Sequence, residues 1–236
     1  MGYIHTKNRS KNYLIISDTQ IPFEAKNSLE FCKNIQKEFK IPKTNVYHVG
    51  DEVDNYWGSK YPKFVMADHT AMQEIQDTIE RLRYWYEAFP HMKLCLSNHG
   101  ERWMKKALEA EIPSVMLRRY RDVLEAPDGW RWKEKWIVKD KHPFCIQHGV
   151  GYSGQNGHRT AAVDNGMSTI IGHLHSHQGI TRIKTEALDI WGMNVGCLIE
   201  NDAYAFHYGK HMRHKPVLGV GVVLDGGNIP IWVPYG

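Results

Sequence analysis

Five short apolar or β-branched runs, in fixed order, each break off into residues carrying carboxylates, amides or imidazoles. This arrangement restricts the possible folds more than any other feature of the chain. Tyr13-Leu14-Ile15-Ile16 leads to Asp18-Thr19-Gln20, and Asn45-Val46-Tyr47-His48-Val49 leads to Gly50-Asp51-Glu52-Val53-Asp54. Lys93-Leu94-Cys95-Leu96 leads to Ser97-Asn98-His99-Gly100-Glu101, and Pro143-Phe144-Cys145-Ile146 to Gln147-His148-Gly149. Ser168-Thr169-Ile170-Ile171 leads to Gly172-His173-Leu174-His175. Each reads as a strand whose C-terminal end delivers polar side chains into a loop, which is where open α/β sheets build their sites. Five such tips converging on oxygen and imidazole donors point to a dinuclear metal centre.

The segments between these tips fill in an α/β architecture. Residues 24–40 and 65–89 carry apolar residues at helical spacing, and Pro42 and Pro90 mark their ends. Residues 101–110 and 114–124 read as two short helices separated by Pro113. Beyond Gly172 the pattern is of strands alone: 178–185, 187–198, 217–224 and 229–233, with Gly226-Gly227-Asn228 as a hairpin turn. Residues 129–136 alternate Trp with charge, as a strand with one apolar face does. His48 falls inside a strand and reads as structural. The expected fold is α/β, two facing mixed β-sheets flanked by helices, with residues 1–236 as a single domain.

Composition sets the outer bounds. At 236 residues, 42% hydrophobic and 24% charged, the chain can bury a substantial core. It has no apolar run long enough for a membrane span, and residues 1–12 lack the apolar stretch of a secretory leader. Cys32, Cys95, Cys145 and Cys197 are widely spaced, which suits reduced thiols and a cytoplasmic location. A net charge of +4 suits an anionic substrate without specifying nucleic acid.

A two-metal hydrolytic site needs a ligand that bridges cations roughly 3.5–4 Å apart, and a carboxylate does this best. Asp18, Gln20, Asp51, Asn98, His148, His173 and His175 offer such a set. His173 and His175 are two apart on an extended segment, so both project the same way. In order and spacing, Asp-x-Gln, GDxxD, the Asn-His pair, the lone His and GHxH resemble the motifs of the calcineurin-like metallophosphoesterase family over residues 13–177. The chain also has the general look of the compact members of that family found in phage genomes.

That resemblance implies a four-layer sandwich and a phosphodiester substrate, DNA or RNA or a nucleotide, cleaved by water activated between two divalent cations. One cation would be held by Asp18, Gln20, Asp51 and His175, the other by Asp51, Asn98, His148 and His173, with Asp51 bridging. It further implies His99 as the catalytic histidine and Asp54 as the carboxylate that orients it. Gln20 stands where most of the family has histidine. An amide oxygen is a harder ligand, so Mn²⁺ is favoured, with Mg²⁺, Fe²⁺ or Zn²⁺ as other candidates. The same variant occurs in the manganese-dependent ADP-ribose and CDP-alcohol pyrophosphatase branch, which gives a second expectation; a binding scaffold is a third. Glu101 lies one position later than the family's carboxylate. Candidate substrate contacts are Tyr56, Trp57 and Lys60 in the aromatic, basic loop after Asp54, and His158 and Arg159 in the Gly-rich segment after His148. The basic run 207–215 is a further possible nucleic-acid contact, weighed against a solvated loop.

Overall fold

A computed structural model describes residues 11–59, 70–200 and 215–236. The chain runs β1 (Tyr13–Ile16), α1 (Ser28–Glu38), β2 (Val46–His48), α2 (Ala71–Ala88), β3 (Met92–Cys95), α3 (Arg102–Glu109) and α4 (Tyr120–Val123). It continues through β4 (Trp130–Lys133), β5 (Lys135–Val138), β6 (Phe144–Gln147), α5 (Gly157–Asp164) and β7 (Ser168–Ile171). β8 (Gly179–Lys184), β9 (Asp189–Asn194), β10 (Gly219–Leu224) and β11 (Ile229–Pro234) complete it.

The strands form two mixed sheets. The six-stranded sheet has the order β11-β10-β1-β2-β3-β4, the five-stranded sheet β5-β6-β7-β9-β8. β1 to β4 are parallel, and so are β6, β7 and β9; antiparallel pairs close the edges at β10–β11, β5–β6 and β8–β9. The parallel strands all finish on one edge, which places the five polar tips together.

The period of two along β1 sorts its side chains between two cores. Leu14 and Ile16 pack with Cys32 and Ile35 of α1 and with Leu82 and Trp85 of α2. Tyr13 and Ile15 pack with Phe144, Ile146, Ile170, Trp191 and Met193 of the other sheet. On the far face of that sheet a Cβ at Gly192 would lie 2.2 Å from the His158 carbonyl, so α5 seats directly on bare backbone there. Helices, sheet, sheet and helix thus stack in turn.

Three indoles fasten the sheets to each other. Trp136 Nε1 donates to the Leu94 carbonyl at 2.9 Å, Trp191 Nε1 to Gly227 at 3.0 Å and Trp232 Nε1 to Val195 at 3.0 Å. In each case an amphipathic ring fills the apolar seam while its one donor is satisfied across it.

Several sequence expectations need correction. Residues 129–136 are two strands: the chain leaves the first sheet after Lys133 and enters the second at Lys135, so Trp130 and Trp132 face the helix side while Trp136 faces the seam. Residues 114–124 form no continuous helix. Val115 and Met116 are 90% and 74% exposed, so no buried stripe supports one, and Leu117 and Arg119 are extended. The first helix starts only at Ser28, after Asn27 in a left-handed conformation. The expected hairpin turn at Gly226-Gly227-Asn228 does join β10 to β11, with Leu224 opposite Ile229 and positive φ at Asp225, Gly226 and Gly227. α2 begins at a capping box, in which Gln73 N–H donates to the Thr70 hydroxyl and Thr70 N–H to the Gln73 carboxamide. All four cysteines are buried and unpaired with one another. Among the described residues, no helix is long and apolar enough to cross a membrane. Residues 60–69 and 201–214, including Lys60 and most of the basic run, lie outside the described residues.

Candidate metal centre

The strand tips converge as the sequence implies. Asp18 follows β1, where a bridge to Cys197 and a 2.7 Å bond from Leu198 N–H to its carbonyl fix the backbone. Its Oδ2 accepts from His173 N–H at 2.9 Å and lies 2.8 Å from His175 Nε2. Asp51 follows Gly50, where φ is +113° and an added Cβ would lie 2.8 Å from His148 Nδ1, so no side chain fits. Asp51 Oδ1 accepts from His99 N–H at 3.1 Å, while Oδ2 lies 3.3 Å from His148 Nε2 and 3.7 Å from His99 Nε2. Asn98 Oδ1 is 2.8 Å from His148 Nε2, and the His148 and His173 rings meet at 5.0 Å. The Gln20 amide reaches to 3.4 Å from His99 Nε2.

These contacts define two overlapping ligand groups. Asp51, His148 and His173 can present donor atoms that all lie within 4.8 Å of one another, and so can Asp18, Asp51 and His175. Asp51 belongs to both. Gln20, Asp51 and His173 have φ values of 47°, 51° and 67°, a region costly for non-glycine residues and most often retained at functional sites.

The electrostatics show what the cluster lacks. Asp18 and Asp51 are both at most 1% exposed, and Asp18 Oδ1 accepts no hydrogen bond among the described residues. Burial opposes ionisation of Asp51, yet His148 and His99 facing it hold its carboxyl well below the usual carboxylate range. Burial likewise disfavours charge on His148, but Asp51 outweighs it and raises the imidazole to about 9. Burial and neighbouring His148 lower His173. Two buried carboxylates thus face His148 and His175, and Asp18 Oδ1 and Asp51 Oδ2 accept no hydrogen bond among the described residues. Divalent cations fit this donor set of hard oxygens and imidazoles.

Beside the cluster lies a second polar assembly. His99 Nδ1 is 2.7 Å from Asp54 Oδ1, and Arg102 Nη2 is 2.8 Å from His99 Nε2. Arginine can only donate, so Nε2 accepts and the proton of the neutral ring is left on Nδ1. Arg102 Nη1 also donates to the carboxylate and the carbonyl of Asp54, both at 2.8 Å. Sequence reasoning missed Arg102. Its only signal is its place three residues after His99, one helical turn away, at the start of α3.

The loop after Asp54 is anchored rather than loose. Tyr56 and Trp57 N–H groups donate to Glu74 of α2 at 2.6 and 3.0 Å, and Asn55 Nδ2 donates to the His99 carbonyl at 3.0 Å. Burial, and then Asp54, push the Glu74 carboxyl up to about 7. Tyr56 is buried and Trp57 half-buried, both beside α3. The structure does not bring His158 to the cluster. Its ring is buried between α5 and β8, with Nε2 2.9 Å from Thr181 Oγ1. Arg159 is exposed on α5. Glu101 is exposed and pairs with Lys105 at 3.1 Å. His48 is structural as expected: it is buried, 3.1 Å from Thr19 Oγ1, and burial lowers its pKa to about 4.

One cleft opens beside the cluster, and a second extends away from it toward the start of β1 and β2. The first, of about 430 Å³, includes Asn98, His148, Lys105 and Lys135 in its lining. Lys135 also lines the second, of about 500 Å³, with Lys11, Lys93, Lys133 and Lys139. Burial, and then Arg131 and Lys11 nearby, lower the Lys93 ammonium. No protein-family model matches this chain, and no curated protein matches it either.

Proposed function

We propose that the protein is a metal-dependent phosphodiesterase of the calcineurin-like kind, acting on nucleic acid or nucleotides. The observation that carries this reading is the pair of ligand groups sharing Asp51. One cation would be held by Asp18, Gln20, Asp51 and His175, and the other by Asp51, Asn98, His148 and His173. Two divalent ions bound there, Mn²⁺ first among them given Gln20, would supply Lewis acidity and a more acidic water.

The chain's own residues do the rest. His99 presents Nε2 beside the cluster, where Arg102 donates to it, and its Nδ1 lies 2.7 Å from Asp54 Oδ1, so the ring is held in one tautomer. To protonate a leaving oxygen, Nε2 must be released by Arg102 and the ring must take up a second proton. Arg102 places a permanent positive charge next to His99, where charge builds up on a phosphoryl group. The lysine cleft shares Lys135 with the cleft at Asn98 and His148 and runs from there toward the start of β1 and β2, a path that a polyanionic strand could follow and a small nucleotide could not span.

The test is to incubate metal-stripped protein plus Mn²⁺ with single-stranded oligonucleotide, duplex and ADP-ribose, and to identify products by mass spectrometry. Shortened oligonucleotides with ADP-ribose intact are expected. AMP from ADP-ribose with intact DNA would replace this reading with the pyrophosphatase one, and no Mn²⁺-dependent product would leave a binding scaffold.

A further inference from the structure

Next to the metal centre, α3 and Tyr120 border another cavity, of about 390 Å³. Its lining is largely carbon, from Trp103, Met104 and Leu108 of α3 together with Tyr120 and Trp132. The Trp103 and Tyr120 rings are nearly parallel, at 10° and 6.5 Å between centroids, and Trp132 meets Tyr120 edge-on at 5.7 Å. Among these rings sits the carboxylate of Glu52, which is 1% exposed. Its Oε1 accepts from Tyr120 Oη at 2.8 Å and from Trp132 Nε1 at 2.9 Å. Its Oε2 is buried and accepts no hydrogen bond among the described residues.

A buried carboxylate oxygen without a donor is destabilising, and a cavity lined by aromatic rings around it suits a flat ligand that carries N–H. The position narrows the choice. Ser97 and Gly100 line this cavity, while Asn98 and His99 between them belong to the metal centre. The cavity also shares Leu96, Ser97, Glu101 and Lys105 with the cleft that contains Asn98 and His148. A group bound here therefore neighbours the place where a phosphoryl group would sit.

We infer that this cavity is a nucleobase pocket for the nucleotide beside the scissile phosphate, and that it prefers bases with an exocyclic amino group. The base lies against Trp103 and Tyr120 and donates an N–H to Glu52 Oε2. The link to a scissile phosphate rests on the phosphodiesterase reading; base binding does not. A purely apolar occupant would leave Oε2 bare. An alkylammonium would find parallel rings rather than a cage, and a carboxylate already taking two hydrogen bonds. Uracil and thymine offer one N–H between two carbonyls, whose oxygens would face the carboxylate.

The test separates the two readings. The metal-free full chain is titrated with adenosine, cytidine, guanosine, uridine and choline, followed by calorimetry and tryptophan fluorescence. Nucleosides carry no phosphate, so the ion site adds nothing. The amino-bearing nucleosides should bind about tenfold more tightly than uridine, and Trp103→Ala should weaken them about tenfold. Glu52→Gln should remove the preference over uridine. Trp103, half-buried, serves as the second probe if the Glu52 variant does not fold. Absence of nucleoside binding, equal binding of choline, or indifference to Trp103→Ala overturns the pocket. Cleavage of bis(p-nitrophenyl) phosphate with Mn²⁺ is scored separately. Nucleoside binding without cleavage keeps the pocket and removes the phosphodiesterase reading, and cleavage without nucleoside binding does the reverse.

Discussion

The six-stranded sheet supplies the oxygen donors of the candidate metal centre, from Asp18, Gln20, Asp51 and Asn98. The five-stranded sheet supplies the imidazoles, His148, His173 and His175. The first group is anionic and buried, and would repel itself if left alone. The second is cheaper to bury while its imidazoles are neutral, and His148 is favoured as a cation only because Asp51 faces it. Only when the sheets dock is either set balanced, so ion binding and the closing of the seam reinforce one another. Gly172 shows how close that docking is: a Cβ there would lie 2.4 Å from both Asp18 Oδ1 and Val49 Cγ2.

The sharpest break in this comparison is Asp51→Asn. Asparagine tolerates the left-handed backbone at this position, so the change tests charge alone. Both ions and all metal-dependent turnover should be lost, measured by elemental analysis and rate. His148→Ala, on the other sheet, should remove one ion and spare the group built on Asp18, Asp51 and His175. Equal metal loss in the two variants would end the idea of a shared carboxylate.

His99→Ala sharpens the comparison from the chemical side. It should lower kcat by about 10²–10⁴-fold with metal content unchanged. A large metal loss would instead make His99 a ligand. Arg102→Ala should cost about 10–100-fold, because it frees Asp54 and His99 from their fixed geometry. Unchanged kinetics would reduce Arg102 to a helix-start contact. The smallest effect belongs to Gln20→His, which makes one oxygen donor an imidazole. Metal preference should move from Mn²⁺ towards Zn²⁺, and an unaltered metal profile would place Gln20 outside the coordination sphere.

How legible these features were depended on how local the physics is. The strand tips could be read because an apolar run, a turn and a ligand are consecutive, and the tips fall at the expected places from Asp18 to His175. The transfer between sheets at Glu134 could not, since one Glu in the place of a Trp between Trp132 and Trp136 reads equally as an exposed position in a single strand. Residues 149–160 drew attention for their glycines, yet α5 starts at Gly157 and turns His158 into the helix–sheet contact. The aromatic cavity was invisible because Glu52 meets Tyr120 and Trp132 across 68 and 80 residues. No periodicity reports contacts at that separation.

The three indoles that cross the seam also set a timescale. Each of those N–H protons is held by a carbonyl of the opposing sheet or its connecting turn, and Trp191 is only 2% exposed. Such a proton exchanges with solvent when the sheets part, so its lifetime in deuterated water measures how often they do. If ions tie the two sheets together, these lifetimes should lengthen with metal loading, while the exposed indole sites keep exchanging at their former rate.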